Sequence, residues 1–197
     1  QQGVEIFYSN RMNDVHDWYF PKSLAHIKVR HPQYTIGHAR ADAGTDPAQT
    51  LKLMRKGKGP HTGLNFGVKV IRDLTVDAMR EVCRNYDIDG IDLDYFRSPR
   101  VFPEVGPEQI EQLTDMMRRI RVMTEEEGLR RGRPILVSTR AINSPQYSLK
   151  SGLDVRTWLA EGLIDMLTMI DIRPNKGSPA YIESPLKELI DLAHEFG

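Results

Sequence analysis

Two aspartates, Asp92 and Asp94, stand two residues apart in the segment Asp89-Gly90-Ile91-Asp92-Leu93-Asp94-Tyr95-Phe96-Arg97. The segment has the apolar character of a strand, and strand side chains alternate. Ile91, Leu93 and Tyr95 therefore face one way, and Asp92, Asp94 and Phe96 the other. Carboxylates on successive same-face positions lie about 7 Å apart. Such a pair suits cleavage of a glycosidic bond, where one carboxyl protonates the leaving oxygen and the other acts as nucleophile or base. Burial and a neighbouring carboxylate both raise a carboxyl pKa, as the acid role requires. Asp94 lies nearer the strand end and is the better catalytic candidate. Asp92 braces it, or a neighbouring arginine, from below. Asp171 or Asp14, at other strand ends, can supply a further carboxylate.

The elements that must hold these residues follow from periodicity. Strands are expected over about residues 4 to 9, 90 to 96, 134 to 141 and 164 to 171, paired in that order. A helix is expected from about Val70 to Tyr86 on the stripe Ile71, Leu74, Ala78, Val82, Cys83 and Tyr86. A second starts at Pro107, with Ile110, Leu113, Met117, Ile120 and Thr124 inward and Arg118, Arg119 and Glu125 to Glu127 on a solvated face. A short helix is capped by Asp154 and closed by Gly162. A last one begins at Ser184-Pro185, with Leu186, Leu189, Ile190 and Ala193 inward. Residues 10 to 67 read as a long irregular region with one helical patch near Pro21 to Val29. Its tract Lys56-Gly57-Lys58-Gly59-Pro60-His61-Thr62-Gly63 suits no regular structure, which marks a functional loop or a linker.

This alternation specifies an α/β protein with a parallel sheet and alternating helices. A strand of such a sheet is buried on both faces, where carboxylates are costly unless paired or facing a wet cavity. Carboxyl ends of strands in a (β/α)8 TIM barrel are such places. Four strands do not close that barrel, which typically needs about 250 residues. Residues 1–197 therefore read as one partial-barrel domain, a central slice whose flanking parts lie before Gln1 and after Gly197. An open flavodoxin-like sheet is the competing architecture.

Charged and polar residues recur after every expected strand. Arg11, Asn13, Asp14 and His16 follow the first, and Asp92, Asp94 and Arg97 end the second. Arg140 ends the third, and Asp171 and Arg173 the fourth. The aspartates Asp92, Asp94 and Asp171 form the catalytic set; Arg11, Asn13, Asp14, His16, Arg97, Arg140 and Arg173 form the substrate-binding set. Guanidinium groups suit carboxylate or sulfate, so an arginine left unpaired would favour an anionic sugar. The plainer reading is a rim of surface ion pairs, each worth little.

Composition removes other classes. The chain has 27 basic and 27 acidic residues among 197, so no basic field argues for nucleic acid or an anionic membrane. No apolar run is long enough to span a bilayer. The single cysteine, Cys83, excludes internal disulfides and cysteine-based zinc sites, and on its helical stripe it reads as an inert core thiol. No His-x-His or His-Glu-x-x-His spacing is present, and no metal or cofactor is expected.

The phrase Asp89-Gly90-Ile91-Asp92-Leu93-Asp94 resembles the strand-four signature of chitinase-type family 18 glycosidases. That family continues with an aromatic residue and a catalytic glutamate. Tyr95 fits, but Phe96 stands in place of the glutamate, which argues against a working chitinase of that mechanism. Nearly the whole chain is similar to bacterial family-10-like glycosyl hydrolases, which are (β/α)8 barrels. The similarity runs through Arg11-Met12-Asn13-Asp14-Val15-His16-Asp17, Leu64-Asn65-Phe66, Tyr86 through Pro99, Arg131-Gly132-Arg133-Pro134, and Gly152-Leu153-Asp154-Val155 with Trp158. The resemblance implies a sugar-active barrel with a carbohydrate substrate. Two alternatives stay open: an inactive carbohydrate-binding barrel, and a metal-dependent hydrolase or lyase using Asp14, His16, Asp92, Asp94 and Asp171.

Overall fold

The computed structural model describes residues 3–18, 20–40, 47–56, 61–96, 98–142, 144–170 and 186–196. Its four strands are β1 (Phe7–Arg11), β2 (Gly90–Asp94), β3 (Leu136–Ile142) and β4 (Met166–Ile170). All neighbours are parallel, in the order β1-β2-β3-β4. The expected class and strand order are therefore observed. A doubly wound sheet reverses its strand order at a switch point, and the strands among the described residues show no such reversal. Unbroken sequential order is how strands follow one another in a (β/α)8 barrel.

Eight α-helices occur among the described residues: α1 (His26–Arg30), α2 (Ile36–Arg40), α3 (Pro47–Met54), α4 (Lys69–Asn85), α5 (Pro107–Arg131), α6 (Pro145–Lys150), α7 (Val155–Ala160) and α8 (Leu186–Phe196). The caps show why the long ones start and stop. Pro107 opens α5, the Gln109 side chain accepts the Gly106 N–H at 3.0 Å, and Gly132 closes the helix at φ 75°. Asp154 caps α7 as expected, accepting Thr157 N–H at 3.1 Å.

The core lies on one face of the sheet. Ile91, Leu93 and Val137 pack with Ile71, Met79 and Cys83 of α4 and Leu113, Met116, Met117 and Ile120 of α5. Each such fully buried side chain contributes about 1.5–3 kcal/mol. Tyr95 continues this face beside Trp158, at a ring-centroid distance of 5.8 Å, and Trp158 Nε1–H donates to Thr114 Oγ1. Cys83 is buried there, and burial pushes its thiol up to about 11, in keeping with an inert core residue.

The opposite face carries rows set by register. Phe7, Gly90 and Leu136 form the lowest row, Ser9, Asp92, Ser138 and Met166 the next, and Arg11, Asp94, Arg140 and Thr168 the third, with Ile142 and Ile170 above it on β3 and β4. The lowest row explains Gly90: a Cβ there would collide with the Phe7 ring.

Several expectations need correction. The first strand is Phe7–Arg11 rather than residues 4 to 9, because ladder pairing begins where Phe7 meets Gly90. Arg11 is consequently the last residue of β1 and not part of the loop after it. Residues 10 to 67 hold α1 to α3 and short 3-10 turns, not a single helical patch; these helices are too short for periodicity to reveal. On α4, Leu74, Ala78 and Tyr86 are exposed, and Val76 and Met79 take the inward positions. Ile190 of α8 is likewise exposed, and Leu192 is buried. Glu127, expected on a solvated face, is 2% exposed because Arg84 and Arg130 close over it. Ser184 and Pro185 lie outside the described residues.

Candidate active site

Asp92 sits at the middle of the sheet and is held from both sides. The Ser9 hydroxyl donates to its Oδ2 at 2.7 Å and the Ser138 hydroxyl to its Oδ1 at 3.0 Å. Parallel register puts Ser9, Asp92 and Ser138 directly abreast, so the three meet without any loop. Arg140 Nε forms an ion pair with Asp92 Oδ2 at 3.0 Å. The side chain of Asp92 is only 7% exposed, and this set of donors offsets much of what burying a carboxylate costs.

Asp94 is one step nearer the rim and is braced more lightly. Its Oδ1 accepts the Phe96 N–H at 3.1 Å, and its Oδ2 lies 4.0 Å from Arg140 Nη1, outside hydrogen-bond reach. Its side chain is 5% exposed. The Asp94 carbonyl accepts the Met12 N–H, which fastens the end of β1 to the end of β2. Arg140 thus spans both carboxylates and is itself 40% exposed.

Arg11, Asp14 and His16 form a second cluster where β1 ends. Arg11 Nη1 donates to Asp14 Oδ2 at 3.1 Å, while Asp14 Oδ1 meets His16 Nδ1 at 2.6 Å and His16 N–H at 2.8 Å. Partial burial raises the Asp14 carboxyl, but the hydrogen bonds from His16 and Arg11 outweigh it and bring it down to about 2. Behind this cluster is a closed polar unit. Lys28 Nζ donates to the Asp14 carbonyl at 2.8 Å and pairs with Asp17 Oδ2 at 2.7 Å, and Thr62 Oγ1–H donates to Asp17 Oδ1. Asp17, Lys28 and Thr62 are all buried.

Asn13, expected among the substrate-binding residues, has a different place. Its amide donates to Leu64 O and Arg100 O and accepts Leu64 N–H, at 2.9–3.0 Å, and the residue is 2% exposed. It ties the loop after β1 to two other loops, and both of its amide hydrogens are taken up there. Of the other expected residues, Asp92, Asp94 and Arg140 converge, and Arg11, Asp14 and His16 converge beside them. Arg97, Asp171 and Arg173 lie outside the described residues. Among the described residues no three His, Cys, Asp or Glu side chains come together as a metal centre would require. No described helix is long and apolar enough to cross a membrane.

Sequence reading missed Ser9, Ser138, Asp17, Lys28 and Thr62. Alternation alone places Ser138 and Arg140 on one face of Leu136-Val137-Ser138-Thr139-Arg140, so the partners of Asp92 were accessible once register was fixed. The Asp17–Lys28–Thr62 unit joins residues 45 positions apart through irregular chain, and no periodic signal announces it.

No protein-family profile matches this sequence, and none of the curated proteins does. Among solved structures, a glycoside hydrolase family 18 N-acetylglucosaminidase from Paenibacillus barengoltzii is similar over 98% of this chain, at 15% identity and a TM-score of 0.45. The similarity covers 64% of that protein, so this chain spans a little under two thirds of its length.

Proposed function

We propose that this protein is a glycoside hydrolase acting on a poly- or oligosaccharide, with its chemistry at the carboxyl ends of β1 to β4. The four strands are read as consecutive strands of a (β/α)8 barrel, which puts that rim where barrel enzymes bind substrate. The family-10-like motif resemblance points the same way.

The observation that carries the reading is the unequal bracing of Asp92 and Asp94. Asp92 is engaged by two hydroxyls and a guanidinium, which suits a positioning residue. Asp94 keeps an oxygen outside hydrogen-bond distance of Arg140 and stands one row higher. It is the carboxylate able to meet an anomeric carbon or an attacking water. Asp171, next on the same rim by sequence, stays in the candidate catalytic set as a further carboxylate. Arg11 and Arg140 are already paired with Asp14 and Asp92, so a preference for an anionic sugar would rest on Arg97 and Arg173.

The test is turnover of a panel of neutral and acidic oligosaccharides and nitrophenyl glycosides by the protein and by Asp94→Asn. Hydrolysis that falls by about 10²- to 10⁴-fold in the variant, with an unchanged unfolding midpoint, supports the assignment. Hydrolysis undiminished in Asp94→Asn refutes the role of Asp94. Glycan binding without hydrolysis by either protein identifies a binding barrel, and activity abolished by a chelator and restored by a divalent cation identifies a metal enzyme.

A further inference from the structure

Every hydrogen bond described for the Asp92 and Asp94 carboxylates is one they accept. A leaving glycosidic oxygen needs a donor, and at the described rim one side chain has the chemistry for it. His16 Nδ1 is 2.6 Å from Asp14 Oδ1. Asp14, brought down to about 2, is a carboxylate at neutral pH and can only accept, so Nδ1 is the donor. The neutral ring then has its lone pair on Nε2, and the charged ring offers Nε2–H. His16 is 53% exposed, and the strand that leads to it is bound to β2 at Asp94 through the Met12 N–H to Asp94 O bond of 3.0 Å.

Resting on the glycosidase reading, we infer that His16, oriented by Asp14, is the proton donor to the leaving oxygen, with Asp94 as the carboxylate that attacks. In this step an Asp94 oxygen forms a bond to the anomeric carbon and the bond from that carbon to the leaving oxygen breaks. The released electron pair takes the Nε2 proton of His16. Water then attacks the same carbon, its proton passes to Nε2, and the ester bond to Asp94 breaks, restoring both groups. Asp14 stays a carboxylate throughout and faces the imidazolium, as carboxylates behind catalytic histidines do. The loop is built for such a fixed ring. His16 N–H donates to the carboxylate that holds its Nδ1, and Lys28, itself paired with Asp17, grips the Asp14 carbonyl. Among the described residues Asp14 contacts the ring, Arg11 pairs with Asp14, and Lys28, paired with Asp17, holds the Asp14 carbonyl.

Two measurements decide the matter. Long-range ¹⁵N–¹H correlation spectra of the whole protein report the tautomer without any substrate. Neutral His16 should be the Nδ1–H form, and Asp14→Ala should return it to the Nε2–H form that free imidazole prefers. An Nε2–H ring in the unmodified protein, or a tautomer indifferent to Asp14→Ala, overturns the dyad. The second measurement compares His16→Gln on glycosides with alkyl or sugar leaving groups and on 2,4-dinitrophenyl glycosides, whose leaving group needs no proton. The first class should lose about 10²- to 10⁴-fold in kcat/KM and the second no more than about 10-fold. Equal effects on both classes, or none, overturn the donor role. If no glycoside is hydrolysed by the unmodified protein, the glycosidase reading and the donor role fall together, and the spectra still decide the dyad.

Discussion

β2 enters the sheet beside one aspartate and leaves it on another, and the two ends use aspartate and arginine differently. At the entering end, Asp89 Oδ2 accepts Ile6 N–H at 2.8 Å, and its Oδ1 accepts from Arg133, which also reaches Asp87. Arg131 donates to the Ile88 carbonyl nearby. These contacts join the chain before β1 to the turn between α5 and β3, and Asp87 is almost fully exposed. At the leaving end, Asp92 and Asp94 are 5–7% exposed and share one guanidinium. Exposed pairs add little to stability. Buried ones cost several kcal/mol in desolvation, and breaking one strands its partner. The entering end thus reads as a clasp, and the leaving end as an arrangement that an apolar core would replace at no loss of stability. On the function proposed above, chemistry accounts for carboxylates there.

The sharpest way to break that contrast is to exchange aspartate for asparagine at each end and measure hydrolysis. Asp94→Asn should reduce it by about 10²- to 10⁴-fold. Asp89→Asn should leave it unchanged. Comparable losses in both would mean that the two ends do not differ in kind.

Stability should separate Asp92 from Asp94 in turn. Asp92→Ala leaves the Ser9 and Ser138 hydroxyls and Arg140 without their acceptor, and a buried pair broken this way typically costs about 3–5 kcal/mol. Arg140 is 40% exposed and can turn to water, which places the expected loss near the lower end of that range. Asp94→Ala removes the acceptor of one backbone N–H and should cost about 1–3 kcal/mol. Urea midpoints of the two variants give the order directly. The row beneath provides a control free of charge: Gly90→Ala pushes a methyl into the Phe7 ring and should cost about 1–3 kcal/mol. Phe7→Leu should recover part of that loss, because residues in contact couple.

How much of this was legible before the structure depends on whether a feature is periodic. The parallel class, the strand order and the convergence of Asp92, Asp94 and Arg140 all follow from alternation, since register turns sequence position into spatial rows. The boundary of β1 was displaced because Val4 and Ile6 look like strand residues but have no ladder partner until Phe7. The loop contacts of Asn13 were hidden for a related reason. A polar residue just after a strand can face a ligand or its own loops, and only the positions of Leu64 and Arg100 reveal which. Burial of Glu127 came from two arginines, Arg84 on α4 and Arg130 on its own helix, and helical periodicity carries no information about such cross-helix closure.

The smallest expected effect concerns the clasp, and its sign is fixed by linkage. The Ile6 N–H donated to Asp89 is the main cause of a lowered carboxyl pKa; slight burial opposes it, and Arg133 adds to the lowering. A carboxyl whose folded pKa lies below its unfolded value binds its proton more readily when unfolded. Its contribution is therefore fully present above the unfolded carboxylate range, near pH 4, and is lost as pH falls through the folded value. Wild-type stability should decline through that acid window more steeply than that of Asp89→Asn, which has no proton to take up. At neutral pH the variant should be modestly less stable, and the two curves should approach each other as pH falls below the unfolded carboxylate range. Urea midpoints at several pH values measure this. Parallel curves across the window would show that Asp89 titrates alike in both states, and the entering end would then be a surface contact that holds nothing closed.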